Sequence, residues 1–293
     1  MDLLLVETIY DGLNAKAALY AIAKVQEEKG TNLPVMLSAT VNDKSGRTLT
    51  GQSLEALFTS LAHYPILSFG LNCSFGAKEL HHFLQELAPR IPCHISIYPN
   101  AGLPNEMGEY DESPEFTALC LQNMAKEGLI NIAGGCCGTT PEHIASLVAA
   151  TKDMKPVPVM QERKRVLASE RQIQEIDING PFLVIGERIN PTGKKELQES
   201  LRQGSMEIVC DMAEEQEEMG AHILDINMGM NGIDEKEMML EAIEEVTMTT
   251  SLPLCFDSSH VDIIEAALRR YPGRALINSI SLEKEKFEKL LPI

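Results

Sequence analysis

Short apolar runs alternate along this chain with longer amphipathic segments. The apolar runs predict strands at Leu3–Val6, Val35–Val41, Ile66–Leu71, His94–Tyr98 and Ile130–Ala133, then at Leu183–Gly186, His222–Ile226, Leu254–Phe256 and Ala275–Asn278. The segments between them predict helices over Leu13–Lys29, Ser53–Leu61, Ala77–Leu87, Glu115–Lys126 and Pro141–Thr151 in the first block. In the second block the helices fall over Ser205–Met219, Glu235–Thr249 and Val261–Tyr271. Pro141 suits a first helical position, with Thr140 as N-cap.

Repeated strand-then-helix units imply parallel strands joined by helical crossovers. A (β/α)8 barrel takes ~250 residues. Here about 150 residues stand before the interruption and about 113 after it. The expected fold class is therefore α/β, with two TIM-type barrels each only partly present: the C-terminal part of the first and the N-terminal part of the second. Two small, complete α/β domains would give the same spacing. The domains are expected at 1–151 and 181–293, with a linker over 152–180. In that linker Lys155-Pro-Val-Pro-Val reads as extended, and the charged stretch Gln161–Ile178 as a surface helix.

Composition narrows the function classes. With 25 basic and 43 acidic residues the formal net charge is −18, which argues against a phosphate backbone or an anionic membrane as partner. No apolar run approaches the roughly 18 residues of a membrane span, and no secretory signal pattern opens the chain. The expected setting is a reducing, cytoplasmic one. There, clustered cysteines are metal ligands or reactive thiols more often than disulfides.

Of the seven cysteines, Cys93, Cys120, Cys210 and Cys255 read as ordinary buried small residues. Two motifs stand apart: Gly70-Leu-Asn-Cys73-Ser and Gly134-Gly-Cys136-Cys137-Gly-Thr-Thr-Pro141. Both follow strand candidates directly, and in a parallel barrel the strand C-termini meet at one face. Three thiolates around Zn²⁺ leave a fourth tetrahedral position open, where a substrate thiol would lose its proton. A strained vicinal disulfide is the rival for the adjacent pair. His81, His82, His143 and His260 show no competing ligand spacing, and the acidic stretch 213–218 reads as a solvated helix face.

These motifs resemble the zinc-dependent homocysteine S-methyltransferase family over roughly residues 1–150. The resemblance implies that Cys73, Cys136 and Cys137 are zinc ligands. Val6-Glu7-Thr8 is similar too, and implies that Glu7 binds the homocysteine amino group. Tyr98-Pro-Asn-Ala-Gly-Leu-Pro is also family-like, as a loop over the same site.

In the second block four successive strands end in polar residues: Gly186-Glu-Arg-Ile-Asn-Pro-Thr192, Leu224-Asp-Ile-Asn-Met, Phe256-Asp257-Ser and Ile277-Asn278-Ser. Asp and Asn can meet the donors and acceptors of a polar heterocycle. Together these resemble the pterin-binding family, which implies that Glu187, Asn190, Thr192, Asp257 and Asn278 line a folate site, with Asp225 and Asn227 on the same rim.

The two modules in this order resemble cobalamin-dependent methionine synthases. That resemblance implies methyl transfer from 5-methyltetrahydrofolate to homocysteine by way of cobalamin. No Asp-x-His-x-x-Gly corrinoid pattern occurs in the sequence, so cobalamin is expected on a separate binding domain. The alternatives are a direct-donor homocysteine methyltransferase with an appended domain, and a non-catalytic fragment.

Overall fold

The computed structural model describes residues 1–159, 164–281 and 283–291. The chain divides into two compact units, Met1–Arg163 and Lys164–Ile293. Each is α/β and carries its own parallel sheet.

Unit 1 runs β1 (Leu4–Ile9), α1 (Gly12–Lys29), β2 (Val35–Ala39), α2 (Leu54–Leu61), β3 (Ile66–Gly76), α3 (Ala77–Leu87), β4 (His94–Asn100), α4 (Pro114–Lys126), β5 (Ile132–Ala133) and α5 (Pro141–Thr151). The strands lie in the order β1-β2-β3-β4-β5, all parallel. Every residue of β2 is buried, as expected of a parallel strand covered on both faces. Leu37, Phe69, Leu71, Leu84, Ile97 and Leu121 belong to one buried core. The helix starts carry their own stops and caps: Asp11 accepts from Asn14 N at 2.7 Å, Gly30 ends α1 in the left-handed region, and Pro141 opens α5 after Thr140.

Unit 2 opens with an antiparallel pair, β6 (Val166–Ala168) and β7 (Ile173–Glu175). It continues with β8 (Ile185–Ile189), α6 (Lys195–Arg202), α7 (Glu207–Glu218), β9 (Ile223–Asn227), α8 (Glu235–Thr249), β10 (Leu254–Asp257), α9 (Val261–Arg270), β11 (Leu276–Asn278) and α10 (Lys284–Leu290). Its sheet has the order β11-β10-β9-β8, again parallel. No helix among the described residues is long and apolar enough to cross a membrane.

The structure departs from the sequence pattern in instructive places. The charged stretch expected as a helix over Gln161–Ile178 forms the β6–β7 hairpin instead, with residues 161–163 outside those described. Ser169 Oγ accepts from both Arg171 N and Gln172 N and closes the turn, and Leu167 packs with Ile223 and Cys255. The strand expected at Leu183–Gly186 begins at Ile185, because ladder pairing with β9 starts there; Phe182 is 89% exposed. α6 was not expected, since only Leu197 and Leu201 mark its buried stripe. β3 runs on to Gly76, five residues past its apolar run.

That extension includes a register shift between Asn72 and Gly76. Further shifts fall between Val6 and Ile9 of β1 and between Gly186 and Ile189 of β8. All three lie at carboxyl ends of strands, where a bulge re-aims side chains.

Gly70 pairs with Ser96 across β3 and β4. A Cβ at Gly70 would collide with the Ser96 backbone carbonyl, which cannot move without breaking the ladder. Gly70→Ala is expected to destabilise unit 1 by about 3 kcal/mol or more, as overpacking against rigid backbone does. Urea unfolding followed by near-UV circular dichroism measures it.

A three-cysteine centre and a carboxylate–amide cluster at the strand ends

β3 and the loop after β5 deliver three thiols to one point, with β4 lying between them in the sheet. Cys73 Sγ lies 3.7 Å from Cys137 Sγ, and Cys136 Sγ lies 4.0 Å from Cys137 Sγ. All three sulfurs fall within 4.8 Å of one another. A tetrahedral zinc with Zn–S bonds near 2.3 Å separates its sulfurs by roughly 3.8 Å, so the trio fits such an ion. The same spacing excludes the vicinal disulfide, whose sulfurs would stand ~2.05 Å apart, and all seven cysteines are free.

The loop is held by backbone bonds that prolong the sheet beyond β5. Gly134 N donates to Ile97 O, Cys136 N to Pro99 O and Ala101 N to Cys137 O, at 3.0, 2.7 and 2.9 Å. Asn100 Oδ1 accepts from Cys137 N at 3.1 Å. On the other side Cys73 and Ser74 adopt φ of 62° and 61°, a left-handed conformation uncommon outside glycine. The β3 bulge thus turns Cys73 toward the pair.

The thiols are unequal. Burial, with Cys73 and Cys137 beside it, pushes the Cys136 thiol up to about 11. Cys137 is net lowered: burial opposes its ionisation, but hydrogen bonds from Cys73, Tyr110 and Cys136 outweigh it. Tyr110 donates its hydroxyl to Cys137, which raises its own pKa. Its ring lies against Gly138, which has φ +77° and no room for a side chain.

Glu7 is exposed at the end of β1. Burial raises the Tyr98 hydroxyl, a hydrogen bond with Ser96 opposes the shift, and the Glu7 charge adds to it. The next residue, Thr8, has φ of 59° and is bonded to Asn72, the neighbour of Cys73. Thr8 N donates to Asn72 Oδ1 at 3.2 Å, and Asn72 Nδ2 donates to Thr8 Oγ1 at 3.0 Å. Glu7 therefore shares one edge of the sheet with the cysteines.

In unit 2 the ends of β8, β9, β10 and β11 gather Glu187, Asp225, Asn227, Asp257 and Asn278. Asn227 Nδ2 donates to Asp257 Oδ2 at 2.8 Å, and Asn278 Nδ2 donates to Asp225 Oδ2 at 3.1 Å. Asp225 is buried, at 4% exposure. Burial raises its carboxyl, Cys255 and Asn278 oppose the shift, and the carboxylates of Asp257 and Glu187 add to it. Asn190 and Thr192 close their own turn: Asn190 Oδ1 accepts from Thr192 N at 2.9 Å, while Lys194 Nζ donates to the carbonyls of Arg188 and Asn190. Of the expected folate residues, the structure sets Asp257 and Asn278 opposite each other on β10 and β11 and links Asn190 to Thr192, while Glu187 makes no hydrogen bond to them among the described residues.

Sequence reading gave no role to Asn72, Thr8, Asn100, Tyr110 or Cys255. Asn72 stood inside a quoted motif but looked like a spacer. Tyr110 carried no signal, since its loop is folded back by the Pro104–Tyr110 bridge and by the bonds of Asn105 and Glu112. Cys255 is paired with Asp225 across β9 and β10, and burial raises its thiol strongly.

Residues 1–151 match the family model of homocysteine S-methyltransferase, and residues 186–293 match that of pterin binding enzymes. Among solved structures, the apo homocysteine methyltransferase MmuM from Escherichia coli is 24% identical, with a TM-score of 0.37. The match covers 51% of this chain and 49% of that one, so the chain spans about half its length. Oxaloacetate acetylhydrolase is 13% identical over 98% of this chain and 79% of its own, with a TM-score of 0.26. The carboxyl transferase domain of Rhizobium etli pyruvate carboxylase with 3-hydroxypyruvate is 17% identical over 92% and 43%, with a TM-score of 0.25. Nothing further rests on likenesses of that size.

The raised Asp225 carboxyl sets a pH dependence. Its folded pKa lies above its unfolded one, so its contribution to stability is full below the unfolded value and is lost as pH rises through the folded value. Asp225→Asn is expected to unfold at a higher temperature than the parent at neutral pH, with the advantage vanishing in acid. Thermal melts across pH 3.5 to 8 check it, with the carboxyl range as reference.

Proposed function

The chain belongs to the homocysteine S-methyltransferase family, and from that premise we propose that it carries the thiol-activating and folate-binding sites of a methionine synthase. The observation that carries the reading is the convergence of Cys73, Cys136 and Cys137 to zinc-ligand spacing. We further propose that the two sheets are parts of (β/α)8 barrels: the C-terminal part of one over residues 1–151 and the N-terminal part of the next over 181–293, joined through 152–180.

Cys73, Cys136 and Cys137 would hold the zinc. The ion would supply a Lewis acid with one open position, at which a substrate thiol is held as thiolate at neutral pH. The chain's own residues do the rest. Glu7 orients homocysteine through its amino group, since an ammonium–carboxylate hydrogen bond is charge-assisted and directional. Tyr110 donates to Cys137 and takes up part of the negative charge that three thiolates concentrate there. Asn100 holds the Cys137 backbone, so the adjacent cysteines cannot drift apart.

In unit 2, Glu187, Asp257 and Asn278 line the folate site, together with Asn190 and Thr192 at the end of β8. The pterin ring presents amino and N–H donors, and Asp257 accepts from them. Asp225 and Asn227 belong to the same rim. Cobalamin, held on a separate domain, would supply the methyl-carrying chemistry between 5-methyltetrahydrofolate and homocysteine, in the cytoplasm. The order of the two matched modules supports this over a direct-donor enzyme, which has no use for a folate site.

Two outcomes test the reading. The purified chain is expected to hold about one zinc, by elemental analysis, and Cys136→Ser to lose most of it; outer ligands alone change metal affinity 10–100-fold, and a direct ligand counts for more. Asp257→Ala is expected to weaken 5-methyltetrahydrofolate binding by ~10-fold or more in calorimetry, the cost of an unmet buried donor, while zinc content stays as in the parent. Folate binding untouched by Asp257→Ala would remove the pterin site from the reading.

A further inference from the structure

We infer that Asn72 is a positioning residue for homocysteine, whose side-chain amide straps the Glu7 end of β1 to the Cys73 end of β3. This rests on the zinc and Glu7 roles proposed above and adds what sets their separation.

β1 and β3 are not neighbours in the sheet; β2 lies between them. No backbone ladder therefore joins the Glu7 strand directly to the Cys73 strand, and the ladder through β2 slips just beside Glu7. Asn72 makes the connection with its side chain. It is 1% exposed. Its Oδ1 accepts from Thr8 N of β1 at 3.2 Å and from Ser38 Oγ of β2 at 2.6 Å. Its Nδ2 donates to Thr8 Oγ1 at 3.0 Å. One amide thus joins the ends of three strands.

The backbone on both sides shows what the amide holds. Thr8, next to Glu7, has φ of 59°, and Cys73, next to Asn72, has φ of 62°. A β-branched residue in that region is a genuine outlier. Such conformations persist only where surrounding interactions over-determine them, and they cluster at functional sites. Thr8 is bonded at both its N–H and its hydroxyl, so its bulge is held twice. The bulge turns Glu7 out of the regular alternation of β1, whose ladder with β2 slips between Val6 and Ile9. A bulge only to end the strand would need neither bond to a residue beside a metal ligand.

The consequence is specific. Loosening the strap should misplace the carboxylate that meets the amino group, yet leave three sulfurs and their open position intact. The test uses the zinc-loaded full chain and two thiols: homocysteine and its desamino analogue, a sulfanylbutanoate. Thr8→Val keeps the β-branched shape and the N–H but removes the hydroxyl from Asn72 Nδ2. It is expected to bind homocysteine roughly fivefold more weakly, the scale of one net hydrogen bond. Zinc content and sulfanylbutanoate affinity should match the parent. Thr8→Ser, which keeps the hydroxyl, should restore homocysteine binding. Equal weakening of both thiols, or of neither, would overturn the inference while the zinc reading stands. A parent chain that binds zinc but neither thiol overturns the reading beneath it, and the inference with it.

Discussion

Parallel hydrogen-bond register is the constraint on which both candidate sites depend. Once strands run parallel, every carboxyl end falls on the same edge of the sheet, however far apart the residues lie in sequence. In unit 1 that edge receives Glu7 from β1, Cys73 from β3, Asn100 from β4 and the Cys136–Cys137 loop after β5. In unit 2 the same rule gathers Glu187, Asp225, Asp257 and Asn278 from four successive strands. The register brings residues near; bulges and left-handed residues then aim them. Three of the four ladder slips fall where chemistry-bearing side chains leave their strands, at Glu7, Cys73 and Glu187; the fourth lies at the start of β2.

Both centres crowd acidic groups into partly buried sites, and each would be relieved by a different kind of ligand. In unit 1 three thiols crowd together, and burial with Cys73 and Cys137 alongside pushes the Cys136 thiol up to about 11. A divalent cation relieves the crowding by replacing protons, which couples metal affinity to pH. Tyr110 donates to the Cys137 sulfur and so supports charge there, while Asn100 holds the Cys137 backbone in place. In unit 2 Asp225 is buried, and the charges of Asp257 and Glu187 add to the burial that raises its carboxyl. A ligand rich in N–H donors satisfies such a site, and a cation-free cluster of this kind is costly without one.

Much of this was legible in the sequence, for reasons that differ by residue. Alternating apolar runs and amphipathic segments gave the strands and α-helices of unit 1 and the four parallel strands of unit 2, but not β6, β7, α6 or α10, because parallel strands buried on both faces read as continuous apolar stretches. Pro141 at a helix start followed from its fixed φ. Flanking glycines marked the Cys136–Cys137 loop, and Gly138 proves necessary because Tyr110 lies against it. What escaped depends on contacts between distant segments. Asn72 looks like any polar residue at a strand end until Thr8 and Ser38 are seen bonded to it. Tyr110 reaches the cysteines only through the fold of its loop. The β6–β7 hairpin was misread as a helix because its charge pattern carries no period, whereas the Ser169 turn and the Ala168–Arg274 bridge decide its shape.

The central claim is that the three cysteines form a centre that takes a thiol into an open fourth position. Zinc X-ray absorption, recorded on the zinc-loaded chain before and after adding homocysteine, tests it most directly. The expected result is a shell of three sulfurs, at about 2.3 Å as zinc thiolates show, that gains a further sulfur with homocysteine. A spectrum unchanged by homocysteine, or a shell with four sulfurs from the start, would contradict it.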